Sequence, residues 1–211
     1  MTMNRLLLAG IDYSLVSPAV CLYCGEIGEW DIEKCEFHFV SGTKKYAGIN
    51  EFMRPRKRTV RVVGHEYPTE YIGGNENDCG RYDALTRWTM DLVQECSGVA
   101  LENYAFAAKG KVFHIAENTG ILKHRLWEWS IPCVLVEPTV VKKFGAGKGN
   151  ATKPDMHEAF KKETGIDLWK KITPDKKDVG NPTTDMVDAY YICKWLHDFM
   201  LEAAQVDSTS H

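Results

Sequence analysis

Four acidic residues stand where an acid is seldom left without a task. Asp12 closes the apolar run LLLAGID, Glu102 closes VALE, and Asp185 and Asp188 lie three apart in TTDMVDAYY. A three-residue step on a helix puts both aspartates on one face, and Ile192, Trp195 and Phe199 continue that face toward a core. Charges at the ends of buried segments need compensation, and closely set carboxylates repel one another, so a cation is the natural partner. Oxygen-only donors suit Mg²⁺, with Mn²⁺ as a substitute. A pair of such ions activates water and neutralises developing charge in phosphodiester hydrolysis. Singly, each acid fits a commoner task; Asp185, for one, would complement a helix dipole from the first turn. The joint placement of four points to metal-assisted hydrolysis.

Cations and aromatics lie near these acids in sequence. Residues 142–153 carry Lys142, Lys143, Lys148 and Lys153 among glycines, in VKKFGAGKGNATK. The GxxxxGK[ST] spacing of a nucleotide-binding loop fails at both Gly147-Lys148 and Gly110-Lys111, so no nucleotide cofactor is expected. A Gly-rich, Lys-bearing loop before a helix can bring backbone and point charges to a phosphate, although a plain surface loop has the same composition. After Glu102, the stretch NYAFAAKGKVFH sets Tyr104 and Phe106 beside Lys109 and Lys111. Interleaved aromatics and lysines can stack on unpaired bases while gripping phosphates. Phe113 in that stretch would serve equally well in a core.

The elements that position these residues read as one α/β domain over 1–204. RLLLAGIDYS, SPAVCLYCGEIGEW and KCEFHFVSG are three short strands broken by Gly, Ser and Pro, a meander at a sheet edge. Residues 44–80 have no sustained period and read as a surface excursion with one hairpin, including a short strand at TVRVVGHEY. From Arg81 to Cys96, Leu85, Trp88, Leu92 and Cys96 recur at helical spacing. A buried strand ending at Glu102 follows, then an amphipathic helix over 114–129 and the buried strand IPCVLVEP. That order implies parallel pairing with right-handed crossovers. Helices are expected from Pro154 to Thr164, stopped by Gly165, and from Thr184, as cap, to about Ala204. Residues 205–211 are expected to be disordered.

Bulk properties bound the classes. With 211 residues, 44% of them hydrophobic, a single soluble domain is expected, and no apolar run reaches bilayer-spanning length. The N-terminus does not resemble a secretory leader, so a cytoplasmic protein is expected. Seven cysteines fall mostly inside predicted strands and helices, which suits reduced thiols. Cys21 and Cys24 form a CxxC, but on a strand they face opposite sides and no second pair completes a zinc set. Net charge is −3, yet 139–177 holds ten lysines against five acids, and Arg54, Arg56, Lys57, Arg58 and Arg61 cluster within 53–61. Local basic segments on an otherwise acidic chain can grip phosphates, as solvated helix faces also would look.

Together the GID strand, LENYAFAAKGK, PTVVKKFGAGKGNATK and the TDMVDAYYI helix resemble the RuvC family of Holliday junction resolvases, in the ribonuclease H-like superfamily. The likeness runs in order from about Leu6 to Leu196. It implies a five-stranded mixed sheet, first three strands antiparallel, flanked by helices. The family's four metal-binding acids fall on Asp12, Glu102, Asp185 and Asp188, and its two catalysis-supporting lysines on Lys142 and Lys153. Its stacking phenylalanine falls between Tyr104 and Phe106, with Phe106 favoured. The resemblance further implies two Mg²⁺ ions per site, a homodimer, and cleavage of four-way junctions or other branched DNA. An RNA:DNA hybrid or flap nuclease, or a non-catalytic scaffold on the same fold, are the rival readings. The long polar segment 44–80 and the acidic charge depart from the family and suggest a phage or viral member.

Overall fold

Alternation along the strands decides which side of the sheet each residue faces. The computed structural model describes residues 6–48, 50–53, 60–67, 78–103 and 112–209. In β1 (Leu6–Asp12), Ala9 and Ile11 join one core cluster while Leu8 joins the other. Gly10 and Asp12 share the parity of Leu8. In β6 (Gly98–Glu102), Val99 and Leu101 face the first side, and Ala100 and Glu102 the second. The two strands pair in parallel with Ile11 opposite Leu101, so Asp12 and Glu102 end side by side at one edge and point to the same face.

Among the described residues the sheet has seven strands in the order β4-β5-β3-β2-β1-β6-β7. β2 (Ala19–Gly25) and β3 (Cys35–Ser41) form with β1 the expected antiparallel meander, and β7 (Cys133–Val136) pairs in parallel with β6. These are the five strands the resemblance implies. The other two come from the expected hairpin of the 44–80 excursion, β4 (Asn50–Met53) and β5 (Val60–Glu66), with β5 added in parallel to β3. Val60 and Val62 are buried while Arg61 is exposed, an alternation that joins this segment to the sheet instead of leaving it on the surface.

Helices cover both faces. α1 (Asp78–Val93) and α2 (Val112–Glu128) pack over Ala9, Ile11 and Leu101. On the opposite face lie α3 (Pro138–Ala146), α4 (Lys153–Thr164), the short α5 (Leu168–Ile172) and α6 (Thr183–Thr209). Two departures from the sequence reading concern the helices. Residues 142–146, the first part of the stretch expected as a Gly-rich loop over 142–153, are helical instead, in α3: Pro138 starts it and Gly147, in the left-handed region at φ 77°, caps it. The terminal helix runs to Thr209, past Ala204, so residues 205–209 are helical and not a disordered tail.

α6 lies directly across β1. A Cβ on Gly10 would sit 2.2 Å from Cys193 N and 2.4 Å from Ala189 O, so only glycine lets the helix backbone come so close. The cysteines are all free. Among the described residues no helix is long and apolar enough to cross a membrane.

Candidate active site

The C-terminal ends of β1 and β6 and the first two turns of α6 meet at one edge of the sheet. Asp12, Glu102 and Asp188 are partly open to solvent there, and Asp185 is buried. All four carboxyl groups are pushed up from their usual range, first by burial. For Asp12 the next causes are the charges of Asp185, Glu102 and Asp188, so the four acids lie within electrostatic range of one another. Glu102 rises to about 8 and Asp188 to about 7. Lys153 opposes the shift at all four acids, and Lys142 does so at Glu102 and Asp188. The helix that replaces the expected loop therefore still presents Lys142 to the acids.

The acids are not held alike. Ser17 Oγ donates to Asp185 Oδ2, and Lys153 Nζ lies 3.6 Å from Asp185 Oδ1. Among the described residues, no side-chain hydrogen bond or ion pair reaches the carboxylates of Asp12, Glu102 or Asp188. Buried or half-buried charge without donors is unstable unless a cation or proton supplies the compensation. Among the described residues no three His, Cys, Asp or Glu side chains form a ready-made metal group, so the acids share a field without sharing one tight coordination sphere. The donor set still fits a hard divalent cation, which takes oxygen ligands and keeps several of its own waters.

Of the other sequence candidates, Lys148 is exposed and pairs with Asp155 at 3.1 Å, beside the box in which Thr152 and Asp155 cap α4. Lys143 is exposed on the outer face of α3, in a groove with Thr139, Val140, Phe144 and Trp195. The structure brings neither of them to the acids. Tyr104, Phe106, Lys109 and Lys111 lie outside the described residues, as do Arg54, Arg56, Lys57 and Arg58. Ser17 and Asn181, which touch the site, were not legible in the sequence. Each sits in an irregular turn, and no spacing rule connects residue 17 to residue 185.

No protein-family model matches this sequence, and a search of curated proteins by sequence also gives no match. Solved structures do match. The RuvC structure from Thermus thermophilus aligns with a TM-score of 0.54 at 14% identity, over 95% of this chain and 96% of that one. T. thermophilus RuvC in complex with a Holliday junction substrate gives 0.51 at 17% identity, over 89% and 90%. The yeast mitochondrial Holliday junction resolvase Ydc2 gives 0.51 at 13% identity, over 96% and 85%. The chain therefore has the RuvC-type, ribonuclease H-like fold.

Proposed function

We propose that this chain is a divalent-metal-dependent endonuclease that cuts branched DNA, four-way junctions foremost, and acts as a homodimer. The observation that carries the reading is the gathering of Asp12, Glu102, Asp185 and Asp188 at one sheet edge, three of them without a hydrogen-bonding or ionic side-chain partner among the described residues, and within reach of the Lys142 and Lys153 charges. Fold likeness to two junction resolvases supports the choice of substrate.

Mg²⁺ or Mn²⁺, two ions in the full reading, held by these four carboxylates would supply an activated water and offset charge on the attacked phosphorus. The protein's own groups do the rest. Glu102 and Asp188, raised by burial and neighbouring negative charge to about 8 and about 7, favour the protonated form near neutral pH, so loading of the site by a cation would release protons. Lys142 and Lys153, whose charges both reach Glu102 and Asp188, would meet the non-bridging oxygens of the scissile phosphate as point charges. Tyr104, Phe106, Lys109 and Lys111, in the segment that follows Glu102, would contact the branch point, with Lys143 and Lys148 extending the basic surface along α3 and the start of α4.

The homodimer has a candidate face on α2. Phe113, Gly120 and Trp127 recur every seven residues on its outer side, with Phe113 77% and Trp127 75% exposed. A two-fold crossing at Gly120 would set Phe113 of one copy against Trp127 of the other, and Glu117 against Lys123. Such a pair would present two acid clusters to two equivalent strands of a junction. The test is cleavage of a panel of mobile junctions, flaps, RNA:DNA hybrid and linear duplex, with Mg²⁺ or with chelator. Paired symmetric nicks in the junction, only with Mg²⁺, are expected. Preference for hybrid would move the substrate to RNA, and no Mg²⁺-dependent cutting of any substrate would leave a binding scaffold.

A further inference from the structure

Asp185 differs from the other acids in having both oxygens engaged. Ser17 Oγ donates to Oδ2 and itself accepts from Asn181 Nδ2 at 2.8 Å. Asn181 Oδ1 accepts from Lys153 Nζ at 3.1 Å. The single hydroxyl proton of Thr184 is shared between Asn181 Oδ1 at 2.9 Å and Asp185 Oδ1 at 3.2 Å, and Thr184 Oγ1 also lies 3.2 Å from Lys153 Nζ. The hydrogen bonds thus run in one direction, from the Lys153 ammonium through Asn181 and Ser17 to the Asp185 carboxylate, and the 3.6 Å contact between the two charges closes the ring.

We infer that Ser17 and Asn181 are positioning residues of the acidic site, fixing the Asp185 carboxylate and the Lys153 ammonium relative to each other. An amide is suited to the Asn181 position because it offers an acceptor to the ammonium and a donor to the hydroxyl at once. An aspartate could not donate and would add a fifth negative charge. A hydroxyl is suited to position 17 because it accepts from the amide while donating to the carboxylate. Ser17, Thr184 and Asp185 are all buried, where aligned hydrogen bonds reinforce one another and an unmet group is costly.

Ser17 and Asn181 lie in turns outside helix and strand, yet both turns are pinned. Tyr67 OH donates to Leu15 O at 2.7 Å, which holds the turn carrying Ser17. Tyr46 OH lies 2.9 Å from both oxygens of Asp175, in the loop carrying Asn181. Tyr46 precedes β4 and Tyr67 follows β5, so the chain on either side of these two strands braces the site from outside it.

The experiment measures Mn²⁺ binding by calorimetry without DNA, single-turnover junction cleavage, junction affinity in chelator, and thermal unfolding. It compares wild type with Ser17→Ala, Ser17→Thr, Asn181→Leu and Tyr46→Phe. Ser17→Ala and Asn181→Leu should each weaken Mn²⁺ binding and slow cleavage by about 10- to 100-fold, with junction affinity and cooperative unfolding kept. Ser17→Thr should restore most of the loss, and Tyr46→Phe should show a smaller loss in the same direction. Wild-type Mn²⁺ affinity and rate in Ser17→Ala and Asn181→Leu would overturn the inference. So would losses that only track unfolding across all variants. The rate measurement rests on the nuclease reading, but the calorimetry does not. Ser17-dependent Mn²⁺ binding in a protein that cuts nothing would sink the nuclease and spare the positioning role, whereas cutting indifferent to Ser17 would do the reverse.

Discussion

Asp12 and Glu102 could be found in the sequence because each interrupts an apolar strand, and the pair at 185 and 188 because helical spacing gave it a face. The hydrogen bonds that tune them could not, since Ser17 reaches Asp185 across 168 positions. These raised carboxylates give the stability of the protein a pH dependence of definite sign. Carboxylates whose folded-state affinity for protons exceeds the unfolded value, near 4, stabilise the fold most at low pH. That contribution is lost as pH rises through the folded values, about 7 for Asp188 and about 8 for Glu102. In chelator, the wild type should therefore lose thermal stability between about pH 5 and pH 8 more steeply than Asp188→Asn, and Mg²⁺ should flatten the wild-type curve. Parallel curves for the two proteins in chelator would show that these acids do not share a buried field.

Among the elements, the strands and helices with strong periodicity, from β1 to α6, were readable in order and in direction of pairing. α3 was not, because Gly145 and Gly147 within VKKFGAGKG read as a loop. In the structure Gly145 lies where a Cβ would come within 2.9 Å of Tyr191, so it is a packing glycine within a helix. The far end of α6 was missed because helix continuation outweighs weak local patterns. The element that matters most to the site is α6, held against β1 at Gly10. Gly10→Ala would drive a methyl group into the Ala189–Cys193 backbone and should destabilise the protein by about 1–3 kcal/mol. Cleavage should fall further than DNA binding, because Asp185 and Asp188 ride on the displaced helix. Denaturant unfolding together with rate and affinity measurements checks this. An unchanged midpoint would mean that α6 does not approach so closely.

For the whole molecule, the sequence conveyed a RuvC-type sheet with a hairpin-bearing excursion, but not that the excursion continues the same sheet beside β3. No local signal carries that pairing; it follows from Val60 and Val62 burying against the core while Arg61 stays out. The proposed two-fold assembly through α2 also belongs to the whole molecule. Trp127→Ala should shift the species seen by sedimentation from dimer toward monomer. Glu117→Lys should weaken the dimer, and Glu117→Lys with Lys123→Glu should restore it, because the swapped charges meet again across the axis. A wild type that stays monomeric at high concentration would remove this interface.

Under the proposed function the four acids, starting with Asp12, make one hydrolytic centre. The most direct measurement is junction cleavage and junction binding by purified Asp12→Asn beside wild type in Mg²⁺. Loss of nicking by at least about a thousandfold, with the junction still bound, is the predicted result. Nicking by Asp12→Asn at the wild-type rate would mean that these acids are not the hydrolytic centre.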